Sequence, residues 1–144
     1  MNYDLDLILI HEDHCDFCEE LSSLLKSFGF HVTIMQFDNI AASLLVAYDV
    51  FMVVTPQNNN QRILTLLTTI RTIVRGMIRY IIAVVDVNDL QVIDYNLGRK
   101  AIAFGAHYFI GTYSGKELEQ ELQEAFETMD RLIAITRPTR NRLD

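Results

Sequence analysis

Positive charge is in short supply in this sequence. Twelve Lys and Arg stand against 19 Asp and Glu over 144 residues, a formal net charge of −7. Nucleic-acid binders take most of their affinity from neutralising phosphates and show a basic stripe for it. The only basic cluster is Arg137, Arg140 and Arg142 near the end. With the stretch from Thr136 to Asp144 set aside, 9 basic residues face 18 acidic ones. Direct DNA binding by the folded part is therefore not expected. No apolar run is long enough to span a bilayer, and the opening Met1-Asn-Tyr-Asp-Leu-Asp is acidic where a signal peptide is basic. Cysteine is scarce too, with two in the chain, while half of the residues are apolar. A sizeable core with few cysteines argues for a reducing compartment and against a disulfide scaffold. Internal repeats and low-complexity linkers are absent. A single cytoplasmic domain is the expectation, over residues 1–135, with 136–144 as a basic tail or the start of a linker to a further domain.

What is present is an alternation of short apolar runs with helical stripes. Leu5 to Ile10 is a nearly continuous apolar run, which suits a strand covered on both faces. Phe17, Leu21, Leu24, Leu25 and Phe28 fall at helical spacing, and Gly29 stops that helix. Val32 to Phe37 reads as a second strand, and Asp38 or Asn39 as the cap of a short helix through Ala47. Asp49 to Thr55 is a third strand, closed by Thr55-Pro56 and the polar run from Gln57 to Gln61. Ile63, Leu66, Leu67, Ile70 and Val74 mark a helix ended by Gly76. Tyr80 to Val87 is a fourth strand. Leu90, Ile93, Leu97, Ala101 and Phe104 form the core stripe of a helix ending at Gly105. His107 to Tyr113 is a fifth strand, and Leu118, Leu122, Ala125, Phe126, Met129 and Ile133 define the last helix, with Glu117, Glu121, Glu124 and Glu127 on its other side. Five strand–helix units imply a three-layer α/β/α sandwich, with parallel strands in the flavodoxin-like order 2-1-3-4-5.

Four stretches carry a family resemblance. "LILIHEDH", "SFGFHV", "AYDVFMVVTP" and "AFGAHYFIGTYSGKELEQELQEAF" together resemble a response-regulator receiver domain of the chemotaxis-regulator kind. The resemblance places the acidic pair that holds magnesium on Glu12 and Asp13, since hard oxygen ligands suit that cation. It places the phosphoacceptor on Val54, or on Thr55 after a slip of one residue. The switch hydroxyl falls on Val85, the lysine on Thr112 and the switch aromatic on Phe109. Val54 cannot form an acyl phosphate, Val85 cannot hydrogen-bond a phosphoryl oxygen, and Thr112 carries no charge. Nucleophile, hydroxyl and cation are missing together, so the resemblance is to a degenerate pseudo-receiver.

Other constellations point elsewhere. His11, His14, Cys15 and Cys18 have spacing compatible with zinc, and a Cys-x-x-Cys opening a helix also suits thiol redox chemistry. The plainer reading has Cys18 in the core beside Leu21 while Cys15 and both histidines stay near the surface. Glu12, Asp13 and Asp86 should gather at the C-terminal strand ends, either as a solvated acidic rim or as a cation site. "VVDVNDL" faintly suggests guanine recognition, but no Gly-rich loop with Lys-Ser/Thr follows the first strand to cradle phosphates. The fourth helix carries a second stripe of Val92, Tyr95, Arg99 and Ile102, the composition of a contact patch. In receivers the fourth helix, fifth strand and fifth helix commonly form a dimer face. The expectation is a non-enzymatic regulatory domain in signal transduction or transcription control, without a cofactor, working through protein contact and most simply homodimerisation. The alternative is a metal- or redox-sensing domain built on His11, His14, Cys15 and Cys18.

Overall fold

In the computed structural model the apolar runs become strands and the periodic segments helices. The structure describes residues 3–11, 15, 17–39, 42–56, 60–77, 79–87, 93–112 and 117–136. The elements in chain order are β1 (Asp6–His11), α1 (Cys18–Ser27), β2 (His31–Gln36), a 3-10 turn (Phe37–Asn39), α2 (Ala42–Leu45), β3 (Val50–Pro56), α3 (Asn60–Ile73), β4 (Tyr80–Asp86), α4 (Tyr95–Ala103), β5 (Tyr108–Thr112) and α5 (Leu118–Thr136). The strands form one parallel sheet of order β2-β1-β3-β4-β5. This is the expected α/β topology.

Burial follows strand position. The central strands β3 and β4 are buried over six consecutive residues each, because helices cover both of their faces. The edge strand β2 leaves His31, Ile34 and Gln36 exposed. Alternate side chains then divide the core in two. Leu7, Leu9, Val50, Met52, Tyr80 and Ile82 pack with Leu21 and Leu25 of α1 and with Leu122, Phe126 and Met129 of α5. Ile8, Ile10, Phe51, Val53, Ile81 and Ala83 pack with Ile63, Leu67 and Ile70 of α3 and with Leu97 and Ala101 of α4. Each such fully buried large side chain contributes about 1.5–3 kcal/mol. Phe126 anchors the first layer, with the rings of Tyr3, Phe28 and Phe30 all within 5.5 Å of its own.

Helix ends follow local chemistry. At the end of α1, Gly29 takes a φ of 96° and donates its N–H to the Lys26 carbonyl, a left-handed turn that an L side chain resists. Four expectations need correction. The segment after β2 splits into a 3-10 turn and the four-residue α2 in place of one helix through Ala47. Helix α3 stops at Ile73, three residues before Gly76. Helix α4 begins only at Tyr95, because the Asp94 carboxylate accepts from the N–H groups of Asn96 and Leu97 and caps the helix there. Ile93 packs on the core from just before that cap, and Leu90 lies outside the described residues. Phe104 leaves the core stripe for the same class of reason. It sits at the C-cap, past the last helical turn, and is 43% exposed. Among the described residues no helix is long and apolar enough to cross a membrane.

Candidate functional site

The C-terminal strand ends hold Val54, Thr55, Val85 and Thr112, which the family resemblance assigns to a phosphate pocket. Val54 pairs with His11 across β1 and packs into the α1/α5 layer. Val85 packs into the opposite, α3/α4 layer. Thr55, not Val54, shares a register row with Val85, and that row continues to Gly111. The structure therefore puts Val54 and Val85 on opposite sides of the sheet. Thr55 is 1% exposed, and its Oγ1 has no hydrogen-bond partner among the described residues. Thr112 is equally buried, pairs with Asp86, and accepts the Val87 N–H on its carbonyl at 2.8 Å. Glu12 and Asp13 lie outside the described residues. Among the described residues no three His, Cys, Asp or Glu side chains are grouped to hold a metal ion.

The cysteines are joined. Cys15 and Cys18 form a disulfide, with Cα atoms 5.4 Å apart at the start of α1. The i, i+3 spacing at a helix start brings two Cα atoms within the reach of such a bond. Composition argued against a disulfide scaffold, and the bond here is a single local one between residues three apart. Cys18 is buried and Cys15 half-buried, as the plainer reading had them. With both sulfurs bonded to each other, neither offers a thiolate to zinc. His11 ends β1, and His14 lies outside the described residues.

The α4–β5 face is built by close approach. A Cβ on Gly98 would stand 2.7 Å from Cδ2 of Phe109, and one on Gly111 would stand 2.6 Å from Cγ2 of Ile93. Gly98 of α4 makes room for Phe109 and Gly111 of β5 for Ile93 just before the helix, and Phe109 is held half-buried against α4. Outside this seam, Tyr95 is 69% and Ile102 46% exposed. Tyr95, Gly98, Arg99, Ile102, His107, Tyr108 and Phe109 line an open groove of about 350 Å³. Val92 lies outside the described residues. Beside the groove, Tyr108 meets glutamates of α5. The Tyr108 hydroxyl donates to Glu124 at 3.4 Å. Burial, then Glu121 and Glu124, push the Tyr108 hydroxyl above its usual range. Burial, then Glu124 and Glu117, raise Glu121.

Sequence reasoning missed three participants here. Gly98 inside a helical stripe is a signal of close packing that went unread. Phe104 was assigned to the core. His107 carried no signal, because its role is tertiary. Its Nδ1 accepts the Ile81 N–H at 3.0 Å, and its ring stacks on Tyr80 with centroids 5.3 Å apart.

Comparison with solved structures decides the architecture. A CheY-like protein, tadZ, from Pseudomonas aeruginosa superposes with a TM-score of 0.59 at 20% identity, over 92% of this chain and 94% of that one. A two-component response regulator from Clostridium difficile gives 0.59 at 16%, over 90% and 96%. The fold is receiver-like. A flavodoxin from Streptococcus pneumonia gives 0.54 at 13%, over 88% and 98%, as expected for two families that share one topology. No family model and no curated protein matches the chain by sequence. Within the receiver-like frame, the groove described above lies on the face formed by α4 and β5.

Proposed function

We propose that this chain is a receiver-like regulatory domain that takes no phosphoryl group and acts through homodimerisation by α4, β5 and α5. The observation that carries the reading is the exposure of Tyr95 and Ile102 on α4, and of Phe104 at its C-cap, with Tyr95 and Ile102 lining an open groove. Large exposed apolar side chains around a groove are what an interface core needs, and Tyr and Arg are its usual anchors. Leu132, 42% exposed, adds an apolar contribution from α5. A second copy suits the patch by charge as well, since Arg99 lies on α4 and Glu117, Glu124 and Glu127 on or beside α5. Val54, Val85 and Thr112 support independence from phosphorylation, because none offers the carboxylate, hydroxyl or cation that acyl-phosphate chemistry uses at those places. The domain is then not an enzyme. Its output passes to a partner in signal transduction or transcription control, either a segment beyond the C-terminal tail or a separate protein.

The test is solution mass by light scattering over a concentration series, with Tyr95→Asp and Ile102→Asp as variants. A wild-type dimer that both substitutions dissociate is expected. A monomer at every concentration, or a covalent phosphoryl group acquired from acetyl phosphate, overturns the reading. The Cys15–Cys18 disulfide favours a second reading, a redox-sensing domain. A mass that changes on reduction selects it.

A further inference from the structure

The N-terminal ends of β4 and β5 carry a second feature, which shares only His107 with the groove described above. A cavity of about 530 Å³ opens there, lined by Arg71, Thr72, Arg75, Arg79, His107 and a small apolar patch of Val74, Met77 and Ile81. No Asp or Glu lines it among the described residues, in a protein with 19 of them and a net charge of −7. Three arginines and a histidine therefore line one cavity in an otherwise acidic molecule, with Arg79 also donating from its guanidinium to the Val46 carbonyl at 3.1 Å.

Helix capping explains only part of this. Arg71 lies in the last turn of α3 and Arg75 just beyond it, where cations offset the helix dipole. That dipole amounts to about half a negative charge, which two arginines already exceed. Arg79 and His107 come from different segments and still line the same cavity. The Arg71 side chain is also seated by the fold. It crosses Gly105, whose φ is 123°, so closely that a Cβ there would stand 2.8 Å from Arg71 Cδ. Neither Arg71 nor Arg75 makes an ion pair among the described residues, and both are exposed. Because His107 Nδ1 already accepts the Ile81 N–H, the neutral ring keeps its Nε2–H as a donor.

We propose that this cavity binds a polyphosphate anion, with its phosphates held by Arg71, Arg75 and Arg79. Planar guanidinium forks match phosphate oxygens in pairs, and spreading three of them around one cavity favours a chain of phosphates over a single anion. The volume is that of a nucleotide-sized ligand. The shared chemistry is the phosphate chain, which either a nucleoside triphosphate or inorganic triphosphate supplies.

The test is calorimetric titration of the full chain with inorganic triphosphate and, separately, with adenosine triphosphate, in magnesium-free buffer at low and at 0.3 M salt. Saturable one-to-one binding is expected, weakened at least tenfold by Arg71→Gln or Arg75→Gln and weakened by salt, which screens exposed charges. Both arginines are exposed, and unchanged melting curves establish that the variants fold. Equal affinity for the two ligands assigns recognition to the phosphates alone, and tighter nucleotide binding assigns a contribution to the apolar patch. No saturable binding of either ligand below 10 mM (an upper limit of about 3 kcal/mol), or binding unchanged in the Arg71→Gln, Arg75→Gln double variant, overturns the proposal. The proposal does not depend on dimerisation, so a monomeric protein can still pass this test.

Discussion

The Phe109 ring occupies the space that a side chain on Gly98 would need, with Cδ2 2.7 Å and Cε2 3.1 Å from where a Cβ would stand. The family resemblance assigns the switch aromatic to Phe109. Here it is seated in a notch that only glycine leaves open, and this contact makes one of its positions testable.

Gly98→Ala forces either the ring or the helix to move. Overpacking of this kind costs about 1–3 kcal/mol, while alanine returns about 1 kcal/mol of helix propensity. A net loss of about 1 kcal/mol is expected in denaturant unfolding. In a Phe109→Ala background the clash is absent, so Gly98→Ala should become stabilising there. The same sign in both backgrounds would show that the ring does not set the cost.

Thr55→Val removes a buried hydroxyl that has no partner among the described residues while keeping its shape. An unsatisfied buried hydroxyl costs about 1–3 kcal/mol, so the variant should be more stable by about 1 kcal/mol. Destabilisation on chemical denaturation would mean that the hydroxyl is bonded in solution. The position matters because Thr55 is the one residue of β3 that carries a hydroxyl.

His107 makes stability depend on pH. Burial first, and Arg71 second, hold its imidazole below the usual 6.5. A base with a depressed folded pKa stays neutral in the native state while the unfolded chain takes up the proton. Its contribution is therefore complete above about 6.5 and is lost as pH falls below that toward the folded value. Wild type should lose stability between pH 7.5 and 5.5 relative to His107→Asn, which can still accept the Ile81 N–H but does not titrate. Glu121 is raised and acts with the opposite sign above 4.5, but it is present in both proteins and cancels in the difference. Parallel stability curves would remove His107 as the source.

Most of the fold was legible because burial on both faces leaves an unmistakable mark. Leu5 to Ile10 and Tyr80 to Val87 admit little besides covered parallel strands, and Gly29 marks a helix end wherever it falls. The start of α4 was not legible, because Leu90 and Ile93 continue the apolar period past the true boundary. One carboxylate, Asp94, decides that boundary by capping two N–H groups. Phe104 was misplaced for the complementary reason, since periodicity does not register where the helical spiral stops.

By itself the sequence determined the order of elements, the sheet topology and the acidic balance. These follow from local periodicity and composition, which need no knowledge of distant contacts. Tertiary structure alone decided that Val54 and Val85 face opposite layers. It also decided that Gly98 receives Phe109, and that Arg71, Arg75, Arg79 and His107 surround one cavity. The last two join residues from separate segments, and such distances are set only when the layers pack.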